Sequence, residues 1–150
     1  MKKINIGIIG FGTIGSGVVR AINSKRRLLA EKAGVDINIK MICDKDLKTR
    51  RSVKVSKKIL TRSAGKILYD PEIDIVVELM GGVLPAKDFI LEALRQGKNV
   101  VTANKALLSE HGYEIFKLTN TLGLSVGFEA SVGGGIPIIK SIKEGFIANR

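Results

Sequence analysis

Short apolar runs alternate along this chain with longer stretches in which apolar residues recur at three- and four-residue spacing. Residues 4–9 read as a strand, and residues 13–30 as a helix carrying Ile14, Val18, Ala21 and Ile22 along one face. Residues 37–43 form a second predicted strand and residues 73–79, Ile-Asp-Ile-Val-Val-Glu-Leu, a third. A helix over 85–96 ends at Gly97, in the position of a C-terminal cap. A fourth strand over 99–102, a helix over 109–121 and a fifth strand over 124–128 follow. Pro137 stands in the first turn of a last helix running to about Ile147. Strands separated by helices pair in parallel, with right-handed crossovers. The unbroken runs Ile75-Val76-Val77 and Val100-Val101 fit strands buried on both faces. The expected fold is α/β: a doubly wound, mostly parallel sheet with helices on both faces.

A length of 150 residues holds one domain with a true core. The start, Met1-Lys2-Lys3 and an apolar run, is interrupted by Gly7, Gly10 and Gly12 and lacks a small-residue cleavage site, so it is not read as a secretory signal. No run approaches the roughly 18 apolar residues that span a bilayer. The single cysteine, Cys43, excludes an intramolecular disulfide and a multi-thiolate metal site, and with the missing signal it places the protein in the cytoplasm. The chain stops directly after a helix, at Ala148-Asn149-Arg150, as a cut domain would.

Charge changes the picture. The net charge is +11, and 14 Lys or Arg stand against 4 Asp or Glu between Lys25 and Lys66, so the rest is nearly neutral. Such a patch suits a phosphorylated small molecule or nucleic acid, or is simply a solvated face. Five phenylalanines and two tyrosines leave little for base stacking, and no nucleic-acid motif is present. No sequence-specific nucleic-acid recognition is expected.

The chemistry gathers at strand ends. Gly10-Phe11-Gly12-Thr13-Ile14-Gly15 is a GxGxxG that follows the first strand and opens the first helix. Its glycines give a tight turn, close backbone approach to a pyrophosphate, and tight helix packing, the fingerprint of a Rossmann-type dinucleotide site. Phosphates then lie on a helix N-terminus, where free amides and the dipole favour anions. Asp44 closes the second strand, 29 positions after Gly15, where a carboxylate accepts from the adenosine ribose. Asp44 argues for NAD; Lys45, Lys48, Arg50 and Arg51 permit the 2′-phosphate of NADP, and the choice between the two stays open. Gly81 and Gly82 let backbone approach the ligand crevice at the end of the third predicted strand. Thr102-Ala103-Asn104-Lys105 ends the fourth, placing Lys105 at the sheet's carboxyl edge, where it can bind an oxygen or move a proton. In 128–137 three consecutive glycines, Gly133 to Gly135, suggest an exposed backbone that ligates a hard cation or binds an anion, or a plain hinge. Glu129 faces the same crevice. His111, in the first turn of a predicted helix, and Cys43, without a histidine partner, are given no catalytic part.

These motifs, in this order, resemble homoserine dehydrogenases: residues 10–15, Asp44-Lys45-Asp46, Asp74 to Leu79 with Gly81-Gly82, Thr102-Ala103-Asn104-Lys105, and Glu129 to Pro137. The resemblance covers essentially the whole chain. It implies an NAD(P)-binding domain of an oxidoreductase that interconverts L-homoserine and L-aspartate 4-semialdehyde, in threonine and methionine biosynthesis. Lys105 would match an active-site lysine at the nicotinamide end; Gly81, Thr102 and Lys105 are also expected among the cofactor's contacts. Phe11, Thr13 and Ile14 would match backbone contacts to its phosphates. The carbonyls of Glu129, Val132, Gly134 and Ile136 would match a sodium site. Family members continue into a substrate-binding and dimerisation domain, so this chain is expected to be inactive alone, and its parent a homodimer through that domain. A stand-alone NAD(P)-binding regulatory or redox-sensing module is the alternative.

Overall fold

Six strands lie side by side, all parallel, in the order β3-β2-β1-β4-β5-β6, in a computed structural model that describes residues 1–145. They are β1 (Lys2–Ile9), β2 (Val35–Cys43), β3 (Leu60–Thr61), β4 (Ile75–Glu78), β5 (Asn99–Thr102) and β6 (Val126–Gly127). The order reverses beside β1, and ligands of open α/β sheets bind at such a switch point, outside the carboxyl ends of the strands.

Alternation along the strands divides the core into two layers. Ile6 and Ile8 of β1, Ile42 of β2 and Val77 of β4 pack with Val19 of α1 (Thr13–Ser24) and with Phe11. Ile9, Val76 and Val100 point the other way, into α3 (Gly65–Leu68), α4 (Ala86–Arg95) and α5 (Lys105–Leu122) through Ile67, Leu68, Ile90, Leu94, Leu107 and Ile115. Helices cover both faces, as the pattern predicts.

The departures from the predicted elements have local causes. The long first helix is two: α1 ends at Lys25, whose backbone leaves the helical region (φ −115°, ψ 16°), and α2 (Arg26–Ala33) follows. Arg26 holds the Asp36 carboxylate through two bonds of 2.9 and 2.7 Å, fastening α2 to the start of β2. On α1 the inward stripe is Gly15, Ser16 and Val19; Ile14, placed on the buried face by the apolar spacing, is 60% exposed. Packing of Gly15 against the turn before it sets this rotation. β3, two residues long, and the four-residue α3 are too short to leave a periodicity, so the third predicted strand is β4. Between β2 and β3 the basic segment crosses the sheet face, held by Val53, Val55 and Ile59. α5 begins four residues earlier than predicted because Asn104 caps it, its side chain accepting from the Leu107 amide at 3.2 Å. That puts His111 in the second turn rather than the first. Val101 is 40% exposed while Val100 is buried, so β5 is covered on one face only. Gly97 does end α4, with φ +74°. Pro137 precedes a short turn of helix, α6 (Ile138–Lys140), which passes into a π-helical turn over Ser141–Gly145. The predicted continuation to Ile147 lies outside the described residues.

Candidate functional site

At the carboxyl ends of β1, β2 and β4 a cleft of about 330 Å³ is lined by Gly10, Gly12, Asp44, Lys45, Arg62, Leu79, Met80, Gly81 and Phe89, among others. Each glycine of the fingerprint has its own reason. Gly10 sits at φ +104°, and a Cβ there would lie 2.6 Å from the Leu79 carbonyl oxygen. A Cβ on Gly15 would lie 2.1 Å from the Gly10 oxygen, so the helix can approach the turn only without one. At Gly12 an added Cβ meets no protein atom within 4 Å. A side chain at Gly12 would therefore project into open space beside the turn. Among the described residues no side chain caps α1, and its first turn holds no acid. The first-turn amides therefore remain available to an anion.

Asp44 is tied into this loop. Its Oδ2 accepts from the Phe11 amide at 2.5 Å and its Oδ1 from the Asp46 amide at 2.8 Å. Two further lone-pair positions remain on the carboxylate for ribose hydroxyls. The Phe11 amide is thus already engaged, and the Phe11 ring is buried. Of the predicted cofactor residues, Gly10, Gly12, Asp44, Lys45 and Gly81 share the cleft; Thr13 and Ile14, the first residues of α1, do not line it, and neither do Phe11, Gly15, Thr102 and Lys105. Arg62, just after β3, joins them; sequence reasoning missed it because the two residues of β3 that return the chain to the sheet carry no pattern. Hydrogen bonds from the Thr49 side chain and from the backbone of Thr49 and Lys48 hold the Asp46 carboxyl down at about 2.

The β4 and β5 ends form the other half. Glu78 is fully buried; its Oε1 accepts from the Met80 amide and its Oε2 from the Thr102 hydroxyl, each at 2.6 Å. The Thr102 oxygen accepts in turn from the Asn104 amide at 3.0 Å, and Asn104 donates to the Gly82 carbonyl at 2.7 Å. Burial pushes the Glu78 carboxyl up, against these hydrogen bonds. The Thr102 side chain therefore faces inward, and its part is to join the two strand ends. Lys105, the first residue of α5, is exposed and lines a separate hollow of about 290 Å³ with Leu108, Phe116, Phe128, Ser131 and Val132. The structure so brings together the predicted catalytic lysine and one residue of the predicted cation loop. In that loop Gly133 and Gly134 stand at φ +69° and +62°. The Glu129 carbonyl accepts from the Val132 amide at 3.1 Å and the Ile136 carbonyl from the Ile138 amide at 2.8 Å. The Glu129 carboxylate instead accepts from the Ile139 amide at 2.9 Å. Cys43 is buried, and burial raises its thiol above the ordinary range.

Residues 10–129 match the family model "Homoserine dehydrogenase, NAD binding domain". The chain belongs to that family. Homoserine dehydrogenase of Bacillus subtilis (strain 168) is 41% identical over 150 residues, all of this chain and 35% of that protein. The enzyme of Synechocystis is 43% identical over 148 residues, 98% of this chain and 34% of that protein. A crystal structure of a homoserine dehydrogenase from Thiobacillus denitrificans superposes with a TM-score of 0.89 at 38% identity, over 99% of this chain and 34% of that one. A hyperthermophilic archaeal homoserine dehydrogenase in complex with NADPH superposes at 0.76, with 25% identity, over 93% of this chain and 48% of that one. The chain thus spans about a third of the length of the bacterial homoserine dehydrogenases it matches, at their N-terminal, dinucleotide-binding part. Among the described residues no helix is long and apolar enough to cross a membrane.

Proposed function

We propose that this chain is the NAD(P)-binding part of an oxidoreductase that interconverts L-homoserine and L-aspartate 4-semialdehyde. The observation that carries the reading is Gly12: it is open to the outside directly over the uncapped N-terminus of α1, where a pyrophosphate finds amides and a favourable dipole. The residues gathered in the cleft suit the adenosine and pyrophosphate parts of the cofactor. Asp44 faces the adenosine ribose, Lys45 and Arg62 supply cations for a 2′-phosphate, and Gly81 and Lys105 belong to the nicotinamide half. When bound, the nicotinamide supplies or accepts the hydride. Lys105, at an exposed helix start, holds the substrate oxygen and manages its proton. The Glu78–Thr102–Asn104 chain keeps that helix start fixed against β4. Carbonyls of Glu129, Val132, Gly134 and Ile136 hold a sodium ion, each engaged carbonyl having a second lone pair to offer. Substrate is enclosed, and the dimer formed, by residues outside this chain, so the chain alone binds cofactor and does not turn over.

Titration with NADH and NADPH, followed by nicotinamide fluorescence, tests the reading. Gly12→Val is expected to fold normally and to weaken both cofactors by at least about tenfold, a change of about 1.4 kcal/mol. Unchanged affinity in that variant would remove the cofactor from this loop. Loss confined to NADPH in Lys45→Ala and Arg62→Ala is the expected mark of the 2′-phosphate.

A further inference from the structure

Arg51 lies behind Asp44 as seen from the cofactor cleft. It lines a neighbouring groove with Phe11, Asp46 and Val53, and is absent from the walls of the cleft itself. Its Nη2 donates to the Asp46 carbonyl at 2.8 Å and stands 3.8 Å from the Asp44 carboxylate and 3.7 Å from that of Asp46. The guanidinium carbon lies 5.9 Å from the centre of the Phe11 ring. Its Nε is buried with no partner among the described residues. A buried donor left unbonded costs stability, so hydrogen bonding alone does not account for this placement. What the position provides is charge: one cation set against two carboxylates, with a side chain only 17% exposed.

We propose that Arg51 sets the preference between NADP and NAD by acting through Asp44. The inference rests on the reading of the cleft as the NAD(P) site. An uncompensated carboxylate at the end of β2 repels a 2′-phosphate, which is how this position selects NAD in dinucleotide folds. Here the carboxylate is turned toward two loop amides and neutralised from behind by Arg51. The ribose still meets an acceptor, while a phosphate on the same ribose meets a carboxylate whose charge Arg51 offsets in part, and Lys45 and Arg62 attract it from the cleft side. Arg51 is in this sense a positioning residue that touches neither substrate nor cofactor.

The experiment is a set of dissociation constants for NADH and NADPH with the wild-type chain, Arg51→Met, Arg51→Lys, Asp44→Asn and the Asp44→Asn/Arg51→Met pair. Arg51→Met keeps the stem and is expected to weaken NADPH about tenfold, as loss of a screened charge partner implies, with NADH changed less than about twofold. Arg51→Lys should stay near wild type in the NADPH-to-NADH ratio. With Asp44→Asn present, Arg51→Met should shift that ratio less than about threefold, because the charge to be offset is gone. Equal weakening of both cofactors, or an undiminished effect in the Asp44→Asn background, would overturn the proposal. Should Arg51→Met not fold, Asp44→Asn alone decides: a gain of about tenfold or more in NADPH affinity would show that Arg51 leaves the acid's charge unopposed. Failure of the wild-type chain to bind either cofactor would strike the cleft reading instead.

Discussion

Lys98 is the residue whose setting departs furthest from its sequence context, a turn of Gln-Gly-Lys-Asn. It is 3% exposed, and its ammonium donates to the Asp70 carbonyl at 2.6 Å and the Ile73 carbonyl at 3.0 Å. Burial lowers its affinity for the proton, and the neighbouring Asp70 and Asp74 partly restore it. Lys40, the extra residue of a bulge between β1 and β2, pairs with Asp70 at 2.8 Å and also with Glu72. These two lysines fasten the amino-terminal edge of the sheet, opposite the cofactor cleft. Lys98→Met keeps the stem and strands one buried and one partly buried carbonyl, so it is expected to cost about 2 kcal/mol. Urea unfolding of the variant measures this, and the NADH affinity of the folded fraction should stay at the wild-type value. None of this is legible in a lysine beside a glycine, because the acceptors come from a segment 25 or more positions earlier.

At the scale of elements, the link between β4 and β5 is the most consequential. The Glu78 carboxylate, the Thr102 hydroxyl and the Asn104 amides join the two strand ends and fix the start of α5. Burial raises the Glu78 pKa in the folded chain above its ordinary 4.5. The folded state therefore binds more protons than the unfolded state just above pH 4.5, and stability falls as pH rises from there through the folded pKa, then levels. Glu78→Gln cannot titrate and is expected to lose that part of the slope, which melting temperatures between pH 4.5 and 8 would register. An unaltered slope would assign the pH dependence to other groups. The sequence carried much of this level. Apolar residues marked β1, β2, β4 and β5, as the unbroken Ile75-Val76-Val77 of β4, as the pair Val100-Val101 of β5 although Val101 is exposed, and as Ile and Met alternating with polar residues in β2. It did not carry β3, whose two residues have no period, nor the true start of α5, where the cap is one asparagine among several polar residues. Arg62 shares the fate of β3, and so does the setting of Arg51 behind Asp44, since the sequence marked Arg51 only as one of four cations for a 2′-phosphate: both depend on where the basic segment returns to the sheet, which tertiary packing of Val53, Val55 and Ile59 decides.

For the whole molecule, the charge excess is less free than the composition suggests. Arg26, Arg27, Lys40 and Arg51 are all engaged with carboxylates, and Lys45 and Arg62 line the cofactor cleft. What remains is a cationic surface whose hold on polyanions should collapse with salt. The proposed division of labour has a direct test. Steady-state rates with homoserine and NADP are expected to be undetectable for the 150-residue chain. They are expected to be substantial once the part of a related homoserine dehydrogenase that follows the matched region is joined to it, and to fall by about a hundredfold or more there in Lys105→Ala, as for loss of a proton-transfer group. Full activity in that variant would take Lys105 out of the chemistry and leave the fold and the cleft untouched.

The place of β1 between β2 and β4 has a consequence for how the protein is made. One wall of the cleft, from Gly10 to Lys45, leaves the ribosome as a self-contained β-α-β unit, and β1 and β2 can pair as soon as it emerges. The other wall, Leu79 to Phe89, is held against β1 only after β4 has been synthesised and has paired on the side of β1 away from β2. The nascent chain thus carries the glycine fingerprint long before it has a site. Only once the chain has been made through Phe89 does a dinucleotide meet both walls of the cleft.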